Sequence, residues 1–253
     1  MNERLASRKA GTARGSAPEG TGNGVITPHR LEVKVALEPR HLADIEAWVR
    51  VHPAHWRVAY PSRQVNNIYF DTLTYMGLND NLSGVADRAK VRLRWYGKDV
   101  TRVANGILEV KRKAGHAGWK ELHAVSADLD LASSWRDLTR ALRLGISGAA
   151  CCWLDRCPMP VLINHYRRSY YETPDGVLRL TIDADLQAYD QRSLTHPNLL
   201  RAAHLDPYVV IELKASVDPG AARRLADALA HFPVGADRFS KYVQGVLAAP
   251  DLG

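Results

Sequence analysis

From His29 onward the chain alternates. Leu31, Val33 and Val35 fall on one side of an extended segment and Arg30, Glu32 and Lys34 on the other, the period-two pattern of a strand. The same texture predicts strands at about 64–70, 87–97, 106–113, 118–125, 163–172, 177–184 and 207–215. Asn105-Gly106 and Asp175-Gly176 have the chemistry of tight hairpin turns. A longer period appears three times. Leu42, Ile45, Trp48 and Val49 behind Pro39 predict a helix over about 39–50, Trp135, Leu138 and Leu142 one over 132–143, and Leu225, Ala228 and Leu229 one over 219–231. Many strands, hairpin signals and few helices predict an α+β, mostly β chain. It is expected to form an antiparallel barrel or sandwich rather than a parallel sheet.

Residues 1–27 are rich in Gly, Ala, Ser, Thr and Arg without periodicity and read as a flexible tail, leaving 28–249 as one folded domain. A chain of 253 residues with 46% hydrophobic and 24% charged side chains can bury a real core. Lys and Arg number 34 against 27 Asp and Glu, a formal net charge of +7, which favours an anionic partner. The tail carries little of that excess, because Arg4, Arg8, Lys9 and Arg14 face Glu3 and Glu19. Cys151, Cys152 and Cys157 sit in one segment with no second pair at zinc spacing, which suits a reducing, cytoplasmic setting. Neither an apolar signal region nor a membrane-length apolar run is present. No P-loop or dinucleotide fingerprint is present either, so any nucleotide is expected to bind through its phosphates. Only 8% of residues are aromatic and no nucleic-acid motif is present, which speaks against nucleic acid as the ligand.

The polar halves of the alternation carry the chemistry. Arg88, Lys90, Arg92 and Arg94 alternate with Ala89, Val91, Leu93 and Trp95, and Glu109, Lys111 and Lys113 with Leu108 and Val110. Arg179, Thr181 and Asp183 do the same against Leu180 and Ile182, and Glu212 and Lys214 against Ile211 and Leu213. A single such strand is a solvated outer face. Recurring like charges on neighbouring positions repel and call for an anion between them. A barrel wide enough for a wet lumen can turn these faces inward and its apolar faces outward against the helices. Arg30, Lys34, Lys90, Arg92, Arg94, Lys111, Lys113, Arg168, Arg179, Lys214 and Lys241 would then surround a linear polyanion, with Glu32, Glu109, Asp183 and Glu212 among them. Carboxylates left over by the bases suit a divalent ion. Asp71, at a strand end, reads as a turn cap, and His165 as structural.

The order of these segments resembles the vacuolar transporter chaperone catalytic domain, a polyphosphate polymerase of the triphosphate tunnel (CYTH-like) superfamily. The matching stretches are Arg30-Leu-Glu32-Val-Lys34, Tyr69-Phe70-Asp71-Thr72, Lys90-Val-Arg92-Leu-Arg94-Trp-Tyr96, Leu108-Glu109-Val-Lys111 and Tyr166-Arg-Arg168. Arg179-Leu-Thr181-Ile-Asp183, Ile211-Glu212-Leu-Lys214 and Phe239-Ser240-Lys241-Tyr242 complete the set, over roughly 29–247. The resemblance implies a tunnel barrel that transfers the terminal phosphoryl group of ATP to a polyphosphate chain with Mn²⁺ or Mg²⁺. By motif, Lys34, Arg92, Arg94, Lys111, Arg168 and Lys214 would line the phosphate path with Tyr166. Arg30, Lys90, Lys113 and Arg179 add to it, and Lys241, Ser240, Arg92 and Arg94 lie nearest the reacting phosphates. Glu212, with Glu32, would hold the metal. Hydrolytic tunnel enzymes open with Glu-x-Glu-x-Lys, and Arg30 in the first place favours elongation or binding over hydrolysis. A non-catalytic polyanion-binding module and a tunnel triphosphatase remain the alternatives, and a membrane partner protein is compatible with the absence of a span.

Overall fold

Alternating strands need a second surface for their apolar sides, and the molecule supplies helices on the outside of one large sheet. The computed structural model describes residues 25–27, 30–114, 117–230, 232 and 239–249. Along the chain these form β1 (Val25–Thr27), β2 (Leu31–Leu37), α1 (Leu42–Val51), β3 (Arg57–Asp71), α2 (Met76–Leu82), β4 (Arg88–Tyr96), β5 (Arg102–Val103), β6 (Ile107–Ala114) and β7 (Ala117–Ala124). Then follow β8 (Leu129–Asp130), α3 (Trp135–Leu144), α4 (Gly148–Arg156), β9 (Met159–Glu172), β10 (Arg179–Asp190), β11 (Val209–Ala215), α5 (Pro219–Ala230) and α6 (Lys241–Leu247). Nine strands make one antiparallel sheet in the order β1-β7-β6-β4-β3-β9-β10-β11-β2, and β5 pairs separately with β8.

The sheet is curled. β6 and β2 are six strand spacings apart, roughly 29 Å in a flat sheet at about 4.8 Å per strand. Lys111 Nζ on β6 nevertheless lies 3.3 Å from Glu32 Oε2 on β2. Only a wall wrapped around a lumen brings those side chains together, and the charged faces are the ones turned inward. The predicted α+β, mostly antiparallel class is therefore the observed one.

The core lies outside this wall, in two layers. On one flank Val91, Leu93 and Trp95 of β4 and Leu108 and Val110 of β6 pack with Trp135, Leu138 and Leu142 of α3 and Ala150 and Leu154 of α4. On the other, Val35 and Leu37 of β2, Leu180 and Ile182 of β10 and Ile211 and Leu213 of β11 pack with Ile45 and Val49 of α1 and Leu225 and Ala228 of α5. Full burial of a Leu or Ile side chain stabilises by about 1.5–3 kcal/mol, so these apolar half-faces decide which side of each strand looks inward. A third cluster joins Tyr69 and Leu162 to Tyr242 and Val246 of α6. There the helix comes so close to β9 that a Cβ at Gly245 would lie 2.6 Å from Leu162 Cδ2.

Several expectations shift. Asn105-Gly106 is not a hairpin turn. Asn105 is left-handed at φ 51°, but it ends a long connection from β4 to β6, and the strand before it, β5, pairs with β8. Asp175-Gly176 does link the paired strands β9 and β10, with Thr173 N–H donating to Leu178 O at 3.0 Å. Val25–Thr27, taken as tail from composition, pairs with β7, while residues 1–24 lie outside the described set. β3, β9 and β10 run longer than their alternation shows, because bulges near Tyr60–Arg63 and Ala184–Gln187 break the period without ending the strand. The predicted 219–231 helix is observed as α5, its last predicted residue lying outside the described set.

Candidate functional site

β4 supplies the spine of the lumen. Its alternation sends Lys90, Arg92 and Arg94 inward while Val91, Leu93 and Trp95 stay in the outer core. Two carboxylates lock the arginines. Glu109, opposite Arg92 across the β4–β6 ladder, accepts from Arg92 Nε at 2.7 Å and from Arg94 Nη1 at 3.2 Å. Burial alone would raise the Glu109 carboxyl, but Arg92 and Arg94 hold it well below the usual carboxylate range. The Arg92 guanidinium is in turn raised: burial opposes its charge, and Glu109 more than offsets this. Arg94 Nε also donates to Asn67 Oδ1 at 2.9 Å, and Asn67 Nδ2 to Asn164 Oδ1 at 2.9 Å. This buried amide relay fixes the direction of Arg94.

Asp183 on β10 plays the same part for a second pair. Arg168 Nη2 lies 2.7 Å from Asp183 Oδ2 and Lys241 Nζ 2.6 Å from the same oxygen. Burial would raise the Asp183 carboxyl, yet Arg168 and Lys241 push it well down. Tyr166 sits among these cations with its hydroxyl accepting from Arg94 Nη2 at 3.3 Å and the Lys241 ammonium 4.9 Å from its ring centroid. Its phenol is held below the ordinary value, because Arg168 and Arg94 outweigh the upward effect of burial.

The opposite wall is made of lysines. Lys111 and Lys120 face each other across β6–β7, and Lys214 stands beside Arg179 across β10–β11. The three lysines lose basicity through burial first, with neighbouring cations adding to it and, for Lys111 and Lys120, Glu109 opposing it: Lys111 falls to about 8, Lys214 to about 7 and Lys120 to about 6. Lys90, with Nζ donating to Ser240 Oγ at 3.0 Å, falls to about 7 for the same reasons. Lys34 lies between two carboxylates, touching Glu32 and lying 2.7 Å from Glu212 Oε1, while Lys214 is 3.0 Å from Glu212 Oε2. Even so, burial and the charges of Lys111, Lys214, Lys241 and Lys120 lower it.

Lys34, Lys90, Arg92, Arg94, Lys111, Tyr166 and Arg168 thus line one cavity. Lys214, Glu32, Glu212, Ser240 and Lys241 line it too. Arg30, Lys113 and Arg179 do not line it. Arg179 is exposed at the start of β10, Arg30 stands near it at the start of β2, and Lys113 pairs with Arg88 at the end of β6. These three belong to the rim at the ends of their strands. Lys120 and Tyr69 also line the cavity and escaped the sequence reading. Lys120 and Glu121 are adjacent charges on one strand, so charge alone does not tell which of them points inward. The register Lys111↔Lys120 settles it.

α6 brings Ser240 and Lys241 to the cavity, and Asp71 sets its position. Asp71 accepts the Tyr242 hydroxyl and the backbone N–H groups of Thr72, Gly77 and Leu78 at 2.7, 2.8 and 2.9 Å. Tyr242 stacks on Tyr69 with centroids 5.1 Å apart, and the Tyr69 hydroxyl accepts from Arg92 Nη1 at 3.3 Å. The capping role expected of Asp71 is present, and it extends through Tyr242 to the lysine next in sequence. His165 stacks on Tyr189 away from the lining residues.

A divalent ion has a partial seat here. Glu32 and Glu212 both reach the Lys34 ammonium, so two carboxylates converge on one point, and among the described residues no three His, Cys, Asp or Glu side chains are grouped so as to hold a metal ion by themselves. Mg²⁺ and its relatives bind through one or two carboxylates completed by phosphate oxygens and water, so this pair fits an ion shared with a phosphate ligand. Nine basic side chains line the cavity. Glu32, Glu109, Asp183 and Glu212 are their carboxylate partners, which leaves an excess of positive charge that a polyanion would neutralise.

The VTC domain model matches residues 29–249 of this chain. Among solved structures, the chain is similar to the Hippeastrum protein HpAC1, which has a dominant triphosphatase activity, at 14% identity and TM-score 0.49 over 87% of this chain and 97% of that one. It is also similar to protein PH1819 of Pyrococcus horikoshii, at 14% identity and TM-score 0.43 over 86% and 98%. A Vibrio parahaemolyticus protein assigned to the adenylate cyclases matches at 12% identity and TM-score 0.44 over 88% and 99%. No curated protein matches the chain. No helix among the described residues is long and apolar enough to cross a membrane.

Proposed function

Because the chain belongs to the VTC domain family, we propose that it is a polyphosphate polymerase working as one tunnel domain over 28–249. It transfers the terminal phosphoryl group of ATP to the end of a polyphosphate chain. The supporting observation is the single cavity in which nine basic side chains, Tyr166 and the Glu32–Glu212 pair converge. Phosphoryl transfer asks for alignment and for neutralisation of charge on three equatorial oxygens, and such a lining supplies both without a side-chain nucleophile. An ionised terminal oxygen of the acceptor chain attacks the γ-phosphorus, the bond to the β–γ bridging oxygen breaks, and ADP leaves. Arg92, Arg94 and Arg168 are held in fixed directions by Glu109, Asn67 and Asp183, so they grip phosphoryl oxygens without reorganising. Lys241 and the Ser240 hydroxyl, carried by α6, stand beside Arg168 and Lys90 and are assigned to the transferring group.

Glu212 and Glu32 would hold Mn²⁺ or Mg²⁺, which would supply neutralisation of phosphate charge. The Lys34 ammonium, which stands between those carboxylates, would have to move aside for them to serve as ligands. A reducing, cytoplasmic setting for the thiols of Cys151, Cys152 and Cys157 and a membrane protein as a partner belong to the same proposal.

The test incubates the protein with ATP and Mn²⁺ or Mg²⁺ and resolves the products on a gel. A ladder of phosphate chains is expected, and Lys241→Ala is expected to reduce it by two orders of magnitude or more (~10²-fold). Phosphate release without chains would make the protein a triphosphatase. Tight polyphosphate binding with ATP untouched would make it a binding module.

A further inference from the structure

The lumen faces of β4 and β9 do not end at the last phosphate-facing cation. Two residues past Arg94 stands Tyr96, and two past Arg168 stands Tyr170. Across the ladder, Arg63 of β3 pairs with Arg168 and Tyr60 with Tyr170. The Arg63 guanidinium lies 4.2 Å from the Tyr96 ring centroid, 5.0 Å from that of Tyr170 and 6.0 Å from that of Tyr60, and its Nε donates to the Tyr170 hydroxyl at 3.1 Å. Tyr60 and Tyr170 meet edge to face at 87°.

This cluster is unlike the rest of the lining. It is aromatic where the lumen is cationic, and it stays open: Tyr60 is 59% and Tyr96 39% exposed, and Arg63 is exposed as well. A cluster serving only the fold would bury its rings, because cation–π contacts in water contribute little, about 0.5–1 kcal/mol each. The bulge between Tyr60 and Arg63 aims both side chains at the same place despite their odd spacing.

We propose that Tyr60, Arg63, Tyr96 and Tyr170 form a stacking platform for the base of a nucleoside triphosphate whose phosphates occupy the lumen. The inference rests on the phosphate-tunnel reading above and adds to it a site for the nucleoside end. Flat rings and a planar guanidinium present π-faces with little base-edge selectivity, so the site takes purine nucleotides generally and stacks pyrimidines more weakly. It also separates two ligands that the lumen alone treats alike, since ATP carries a base and an inorganic phosphate chain does not.

The experiment is calorimetric titration of the full chain with ATP and with tripolyphosphate at one salt and Mg²⁺ concentration, for the wild type, Tyr60→Ala and Arg63→Gln. Tyr60 is on the surface, so its loss leaves the fold intact, as thermal unfolding would verify. Stacking on an aromatic platform predicts that ATP weakens about tenfold in Tyr60→Ala, whereas tripolyphosphate stays within about twofold. Arg63→Gln should reproduce the ATP-selective loss. Equal loss of both ligands, or loss of neither, overturns the platform and leaves the tunnel standing. Failure of the wild type to bind either ligand overturns both readings.

Discussion

The two walls of the lumen are written in the same sequence pattern and live in different electrostatic states. On the β4–β9 wall, Arg92, Arg94 and Arg168 are each bound to a buried carboxylate and oriented before any ligand arrives. On the β6–β7–β11 wall, Lys111, Lys120 and Lys214 crowd one another with too few carboxylates and lose basicity. Guanidinium cannot give up its proton at physiological pH and must be paired when buried, whereas ammonium can discharge. The arginine wall is therefore a rigid, prepaid grip. The lysine wall is a reserve of charge that a bound polyanion would call up.

The largest break in this contrast comes from removing a pairing carboxylate. Glu109→Gln leaves Arg92 and Arg94 uncompensated and should destabilise the protein by about 3–5 kcal/mol, seen as a lower urea midpoint at unchanged slope. A loss below about 1 kcal/mol would mean that the arginines are not locked. The mirror experiment on the other wall has a smaller effect and the opposite sign. Lys120 is inside the lumen with Glu109 acting on it from beyond ion-pair distance and burial outweighing that attraction, so Lys120→Gln should leave the ligand-free protein as stable or more so, by up to about 1 kcal/mol. Tripolyphosphate affinity should drop about fivefold in the same variant, one charge contact being lost. Destabilisation as large as that of Glu109→Gln would erase the distinction between the walls.

The finest test is pH. Lys120, Lys90, Lys214 and Lys111 hold pKa values of about 6, 7, 7 and 8 in the free protein, below the ordinary lysine value. Between those values and the ordinary one the unfolded chain binds more protons than the folded one, so their contribution to stability rises with pH across this window. A bound polyanion restores the ammonium form, so binding takes up protons and affinity falls as pH rises over the same range. Titrations at pH 7.5 in buffers of different ionisation enthalpy should show net proton uptake. Zero uptake would place the lysines fully charged before the ligand enters.

Much of the arginine wall was legible in the sequence because β4 alternates without interruption, so Arg92 and Arg94 oppose Leu93 and Trp95 unambiguously. Legibility failed where the period was locally degenerate. Lys120 beside Glu121, the amide relay Asn67–Asn164 within apolar strands, and α6 as the carrier of Lys241 all depend on register and tertiary contact rather than on alternation. Arg30, Lys113 and Arg179 keep the right face but stand too near their strand ends, since alternation gives a side and not a depth. Of the platform residues, Tyr60 and Arg63 were invisible for a related reason: they share a face only through a bulge.

The ion pair between Lys111 and Glu32 joins strands that share no backbone hydrogen bond, close to where β1 and β2 leave the sheet unclosed. Such a wall has a seam, and side chains fasten it there. Under the proposed function, an anion that drew the Lys111 ammonium to itself would unfasten that clasp. The fastening of the seam would then answer to what fills the lumen.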